Sequence, residues 1–327
     1  MHPELFKIPL VNYTVHSFGP MVVLGFTFGF FLVRRLSRYI TSDPQVIYNV
    51  ILYCLISGVV GARAFYVVHH LYQFRGNWPS IIATWQGGLE FYGGVIFAVP
   101  VIIFYLRHYK LPIRPYLDIL AISLMAGLTF GRIGCFLNGC CFGKPTDIFW
   151  AVRFPYNSFA YNSQVNPNFK RNRPEPQLQI PPDYFIFIDE QDTGYLKTFE
   201  DLSSEQQFEV IKGKYRCLPV HPTQLYSSTN AAILCILLFL FWRRSLKNTG
   251  TRKLFIQPGH TFALAFILYG ITRFILESLR DDNPFEHAWW AIYKGGTVSQ
   301  NIGIYMVIMG VVLTVLFHKI KPKEAKS

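Results

Sequence analysis

Three arginines lie inside stretches that otherwise read as membrane-spanning helices: Arg63 in VILYCLISGVVGARAFYVV, Arg132 in ILAISLMAGLTFGRIGCFL and Arg273 in TFALAFILYGITRFIL. A guanidinium at the centre of a bilayer costs about 2.5–3.5 kcal/mol on insertion scales, so three of them need anionic partners or a hydrated cavity. For one arginine, snorkelling to the surface or an ion pair suffices, and Glu90 and Glu277 are at hand. Three at one level argue for a site. The guanidinium fork suits phosphate bidentately, which points to a phospholipid head group as the guest.

The residues around the arginines extend the pattern. Arg132 opens GRIGCFLNGCCFGKPT, where glycines such as Gly143 expose backbone amides and Asn138 can donate and accept hydrogen bonds. WQGGLEFYGG, which contains Tyr92, precedes another apolar run, and LPVHPTQLY, with His221, precedes a further one. Tyr269, Arg273, Glu277 and Arg280 are spaced four, four and three apart, so they share one helical face. His221 reads either as a head-group donor or as a loop cap.

The elements that carry these residues must be membrane helices. The chain is 51% hydrophobic, 17% aromatic and only 15% charged, too apolar for a soluble domain of 327 residues. Seven spans are predicted, at 17–33, 47–68, 89–106, 116–134, 225–242, 260–277 and 301–318. Gly93, Gly94 and Pro100 make the third marginal, and the fourth ends in a glycine-rich segment; breaks at both are expected at the site. The first run lacks a basic leader and a small-residue cleavage site, so it reads as a retained helix.

Basic residues set the orientation. Arg34, Arg35 and Arg38, then Arg107, Lys110 and Arg114, then Arg243, Arg244, Lys247, Arg252 and Lys253 follow spans 1, 3 and 5, and the tail adds Lys319, Lys321, Lys323 and Lys326. These segments are predicted to be cytoplasmic, with the N-terminus outside. Arg63, Arg132 and Arg273 then fall in the last third of outward-running spans, at one depth near the outer leaflet. The net charge of +12 is largely this topology signal, and its dispersal among short loops argues against nucleic-acid binding.

Between spans 4 and 5, residues 147–220 form the only sizeable segment outside the membrane. DYFIFID predicts a strand there, and Ser203 to Gln206 a capped helix that Gly213 would stop. The segment reads as a lid over the outer mouth, or as a poorly ordered insertion without a role. Cys54 and Cys235 read as packed core residues, whereas Cys135, Cys140, Cys141 and Cys217 lie on the outer side, where a bridge from Cys217 to Cys140 or Cys141 is an expectation. Paired C-x-x-C spacing is absent, so no metal or other cofactor is predicted.

These residues carry a resemblance. The GGxxFxGG-like turn, the GRxGxFxNG signature, HPxQLY and YGxxRFxxExxR are similar to those of the prolipoprotein diacylglyceryl transferase family, and the resemblance covers nearly everything outside residues 147–217. It implies an all-α integral membrane protein of about seven transmembrane helices with a small extracytoplasmic head: residues 1–146 with spans 1–4 and the signature loop, 147–220 the head, and 221–327 with spans 5–7. It implies residence in the bacterial inner membrane and transfer of diacylglyceryl from phosphatidylglycerol to the lipobox cysteine of a preprolipoprotein signal peptide. Arg132, Arg273, Glu277 and Arg280 match functional positions of the family, with Asn138, Gly143 and Tyr269 retained.

Departures accompany the match. Tyr92 stands where the family has a histidine considered catalytic, Cys135 where it has Asn, Cys140 where it has an acidic residue, and Phe18 where it has a tyrosine. The chemistry needs cations on the phosphate, for which Arg132 and Arg273 are suited, and deprotonation of a thiol of pKa about 8.5. Tyr92 could act as base if arginines lower its pKa, could merely orient substrate, or could be an interfacial aromatic. Arg63, Asn138, Gly143, His221, Tyr269, Glu277 and Arg280 complete the expected substrate-binding set. A lipid transporter, a non-catalytic lipid-binding relative and a transferase with another acceptor are the competing readings.

Overall fold

Every apolar run folds into a helix. A computed structural model describes residues 4–8, 13–41, 43–76, 78–84, 88, 90–188, 193–247 and 257–319. The order is β1 (Glu4–Ile8), β2 (Tyr13–His16), α1 (Phe18–Ser37), α2 (Pro44–His69), α3 (Phe91–His108), α4 (Ile113–Asn138), α5 (Phe159–Val165), β3 (Phe185–Ile188), β4 (Gly194–Leu196), α6 (Ser204–Ile211), α7 (Thr223–Lys247), α8 (His260–Glu277) and α9 (Val298–Lys319). Two antiparallel hairpins, β1 with β2 and β3 with β4, correct the all-α expectation to a mostly helical fold. Six helices (α1, α2, α4, α7, α8 and α9) are long and apolar enough to cross a membrane. The third apolar run, described over Gly93–His108, is shorter. Val23, Phe104, Leu124, Ile236 and Ile275 are among the large apolar side chains these helices leave exposed, as lipid contact requires.

The glycines expected to break the third and fourth spans do something else. Helix α3 continues through Gly93, Gly94 and Pro100, and α4 runs unbroken to Asn138, where Gly139 at φ 79° ends it. A Cβ on Gly93 would lie 2.4 Å from the Gly61 carbonyl oxygen, so α2 and α3 touch backbone to backbone. At the α1–α4 crossing a Cβ on Gly25 would lie 2.8 Å from the Gly127 carbonyl oxygen, and at the α8–α9 crossing one on Gly270 would lie 2.6 Å from that of Gly303. Without a hydrophobic force between helices in lipid, such small-residue seams let dispersion and backbone contact hold the pairs together.

A buried carboxylate fixes the opposite end of the bundle from Arg132. Asp118 of α4, 2% exposed, accepts hydrogen bonds from the backbone N–H groups of Gly259 (2.7 Å) and Phe262 (2.8 Å). It satisfies donors that the first turn of α8 leaves open and locks α8 against α4. The core there is Ile119, Ile122 and Met125 against Leu234, Leu238 and Ala265.

The segment between α4 and α7 has its own core, built from Phe142, Phe154, Tyr161, Val165, Cys217 and Val220. The strand expected in DYFIFID forms as β3, and α6 carries the capping box of Ser203 with Gln206. The described residues of this segment are therefore folded. Arg173 reaches Asp281 at 2.6 Å and Arg171 donates to the Asn283 carbonyl at 2.7 Å, so the segment is tied to the chain that leaves α8.

Candidate functional site

Helices α4, α7 and α8 converge on one small cleft. It is lined by Leu128 and Arg132 from α4, Ser227 and Asn230 from α7, and Tyr269, Arg273 and Leu276 from α8. Residues i and i+4 of a helix lie on one face, which is why Tyr269 and Arg273 both reach it. Arg132 is six residues from the end of α4 and Arg273 four from the end of α8, which places each about 6–9 Å from its helix terminus. The two guanidinium groups thus share the cleft near one end of the bundle, as their spacing led us to expect.

The arginines differ in how their charge is met. Arg273 donates to Ser299 Oγ at 2.8 Å and pairs with Glu277 Oε2 at 3.1 Å. Glu277, 1% exposed, also lies 3.5 Å from Arg280 and accepts from Thr297 (3.2 Å) and from Asn283. Arg280 spends its fork on Asp282, at 2.8 and 2.6 Å. Burial opposes its charge, but the Asp282 fork and the neighbouring acidic groups hold its pKa above the ordinary value. Arg132 has no carboxylate within ion-pair distance among the described residues. Its Nη1 donates to the Cys141 thiol at 3.8 Å. A half-buried cation so placed has the chemistry to take an anionic ligand.

Several expected members are placed elsewhere or play another part. Arg63, 8% exposed, donates to the carbonyls of Ser80 (2.7 Å), Ile81 (2.7 Å) and Gly88 (3.0 Å), so it pins the chain between α2 and α3. It does not line the cleft between α4, α7 and α8, and its fork donates to backbone oxygens instead. Gly143 is a packing glycine as well: its N–H donates to the His221 carbonyl at 3.1 Å, and a Cβ would meet that oxygen at 2.6 Å. His221 contacts Tyr226 Oη at 3.4 Å, and that oxygen accepts from Trp150 at 2.5 Å. Asn138 ends α4 beside the Cys140 thiol. Tyr92 falls in the first turn of α3, and its side chain lies outside the described residues.

The predicted bridge to Cys217 does not form; all six cysteines are free. Cys217 is buried in the head core and donates to Gln164 Oε1 at 3.3 Å, and burial pushes its thiol up to about 11. Cys135, Cys140 and Cys141 instead come together, with their Sγ atoms within 4.8 Å of one another, the one group of this kind suited to a soft metal ion among the described residues. Hydrogen bonds from Cys135 and Cys140 hold the Cys141 thiol below its ordinary range against the effect of burial, and Arg280 and Arg132 add to that pull.

Sequence reasoning missed Ser299, Thr297 and Asn283, which surround Arg273 and Glu277, and Ser227 and Asn230 in the cleft. The one available signal was polar residues at the mouths of apolar helices.

The family model for prolipoprotein diacylglyceryl transferase matches residues 3–316. Among curated relatives, phosphatidylglycerol–prolipoprotein diacylglyceryl transferases are similar along nearly the whole chain. That of Prochlorococcus marinus subsp. pastoris is 25% identical over 96% of this chain and 92% of its own. The Clostridium tetani protein is 24% identical over 95% of this chain and 96% of its own, and the Clostridium botulinum protein 25% identical over the full length of both.

Proposed function

The chain belongs to the prolipoprotein diacylglyceryl transferase family, and on that membership and the cleft between α4, α7 and α8 we propose that it transfers diacylglyceryl from phosphatidylglycerol to the lipobox cysteine thiol of a preprolipoprotein signal peptide. The observation that carries the reading is Arg132, a guanidinium facing the cleft with no carboxylate within ion-pair distance among the described residues. Its fork and that of Arg273 take the phosphate oxygens. As the acceptor sulfur attacks the glycerol carbon that bears the phosphate, negative charge grows on the departing oxygen, and preorganised cations in a poorly hydrated site stabilise that charge most. Glu277 holds Arg273 and Arg280 at their spacing, while Tyr269 and Asn138 border the substrate.

The seven apolar helices act as seven spans, α3 included. The basic ends of α1, α3, α7 and α9 lie on the cytoplasmic side of the bacterial inner membrane, and the N-terminus lies outside. Residues 147–220 are then an extracytoplasmic head between two membrane units, 1–146 and 221–327, beside the outer ends of α4 and α8. A lipid enters sideways between helices and a peptide from the surface. The test is transfer of labelled diacylglyceryl from phosphatidylglycerol to a lipobox-cysteine peptide by the purified chain. Transfer that vanishes in Arg132→Ala supports the reading. Intact binding of phosphatidylglycerol with no transfer by the wild-type chain refutes it.

A further inference from the structure

The turn that closes α4 gathers three thiols. Cys135 occupies the last turns of the helix, Gly139 reverses the chain at φ 79°, and Cys141 itself takes φ 61°. Buried side chains from the start of α7 hold the returning backbone: Gln224 Nε2 donates to the Cys140 carbonyl and Thr223 Oγ1 to that of Cys141, both at 2.7 Å. The positive φ at Cys141 is strained for a residue with a side chain, and these two bonds fix it. Around a tetrahedral zinc, sulfurs at 2.3 Å stand about 3.8 Å apart. The three Sγ atoms, within 4.8 Å of one another, already stand close to that spacing.

We propose that Cys135, Cys140 and Cys141 form a three-thiolate site for one zinc ion, with a fourth coordination position left for the acceptor thiol of the transfer reaction. No further His, Cys, Asp or Glu joins the group among the described residues, and three protein ligands with an open position are the pattern of reactive zinc, not of structural zinc. Charge supports the assignment. Three thiolates and a divalent ion carry one negative charge, and Arg132, whose Nη1 lies 3.8 Å from Cys141 Sγ, is there to meet it. Its donation to a ligand sulfur is the outer contact that tunes such sites.

The role as acceptor site rests on the diacylglyceryl-transfer reading. A thiol that coordinates the ion loses its proton to solvent, since coordinating thiols are deprotonated outright. The bound sulfur then supplies its electron pair to the glycerol carbon, forming the S–C bond. The C–O bond to phosphate breaks, and glycerol phosphate leaves with that bond's electrons beside Arg132 and Arg273. No side-chain base is required, which accounts for Tyr92 standing where relatives of the resemblance carry histidine.

Cobalt(II) is the probe, added to the reduced full-length chain in detergent and followed by thiolate-to-cobalt absorption. The expected result is one cobalt per chain, displaced by zinc, abolished in the Cys135→Ser/Cys140→Ser/Cys141→Ser variant, weakened in Cys140→Ser and kept in Cys217→Ser. A lipobox-cysteine peptide should raise the thiolate absorption, and its serine analogue should leave it unchanged. Absence of bound cobalt in a folded chain whose six thiols titrate, or equal binding by the triple variant, overturns the site. Transfer at full rate by a metal-free chain overturns the acceptor role and leaves the proposed function standing. Cobalt binding and peptide response without transfer from phosphatidylglycerol sink the proposed function and leave the site.

Discussion

Replacing Arg132 by Ala should separate chemistry from stability. The guanidinium contributes little to folding: among the described residues it has no carboxylate partner, and its one hydrogen bond is to a thiol at 3.8 Å. Removing it should change unfolding free energy by no more than about 1 kcal/mol, within the range of weak ion contacts. Its effect on the reaction should be far larger. Loss of one preorganised donor to a developing oxyanion costs about 2.7–4 kcal/mol, and each 1.36 kcal/mol is tenfold in rate, so kcat for diacylglyceryl transfer should fall by about 10² to 10³. Arg132→Lys keeps the charge and loses the fork, and should fall between the two. The contrast is Arg273→Ala, which strips Glu277 of its 3.1 Å partner and leaves Arg280 at 3.5 Å, so activity and thermal stability drop together. Peptide transfer rates and Tm values in one detergent provide both readouts. Transfer by Arg132→Ala within tenfold of wild type would refute the anion-site argument. So would a loss of activity matched by an equal loss of stability.

Asp281→Asn leaves the buried guanidinium groups of Arg171 and Arg173 without their carboxylate and should loosen the head by about 3–5 kcal/mol, read as faster proteolysis within residues 147–220. Gly143→Ala drives a Cβ to 2.6 Å from the His221 carbonyl oxygen and should cost about 1–3 kcal/mol; an unchanged Tm would contradict the close approach. For Cys217, burial raises the thiol from 9.0 to about 11, so the folded state binds its proton more tightly than the unfolded one. That stabilisation is complete below pH 9, declines between about pH 9 and 11 by about 1.4 kcal/mol per unit, and should be absent from the pH–stability profile of Cys217→Ala. Tyr92→Phe that transfers at the normal rate would eliminate a proton-handling role for that hydroxyl.

What the sequence revealed and what it hid follow from the range of the forces involved. Tyr269, Arg273, Glu277 and Arg280 could be read as one face because helical periodicity is local, and the apolar runs announced their helices because lipid demands length. The role of Arg63 was hidden: whether a fork meets phosphate or the carbonyls of residues 80–88 depends on where a loop folds back. Gly93 read as a break because glycine is a poor helix former in isolation, whereas a Cβ there would run into the Gly61 carbonyl oxygen, so its lack of a side chain is what lets α2 and α3 meet. Ser299, Thr297 and Asn283 carried no pattern at all, being small polar residues on α9 and the chain before it that matter only once α9 lies against α8.

Three of the four departures from the resembled family fall on one side of the proposed reaction. Arg132, Arg273, Glu277 and Arg280, proposed to handle the anion, stand as the resemblance requires, and they gather at the ends of α4 and α8. The changed positions, Tyr92, Cys135 and Cys140, bear on how a thiol loses its proton. An arginine without a carboxylate partner among the described residues, at a cleft between apolar helices, carries an insertion cost of about 2.5–3.5 kcal/mol that binding of an anionic head group offsets. Gln224 and Thr223 hold a strained Cys141 beside that arginine. The energy stored at this turn is better accounted for by an altered route to the thiolate than by a reaction that has lapsed.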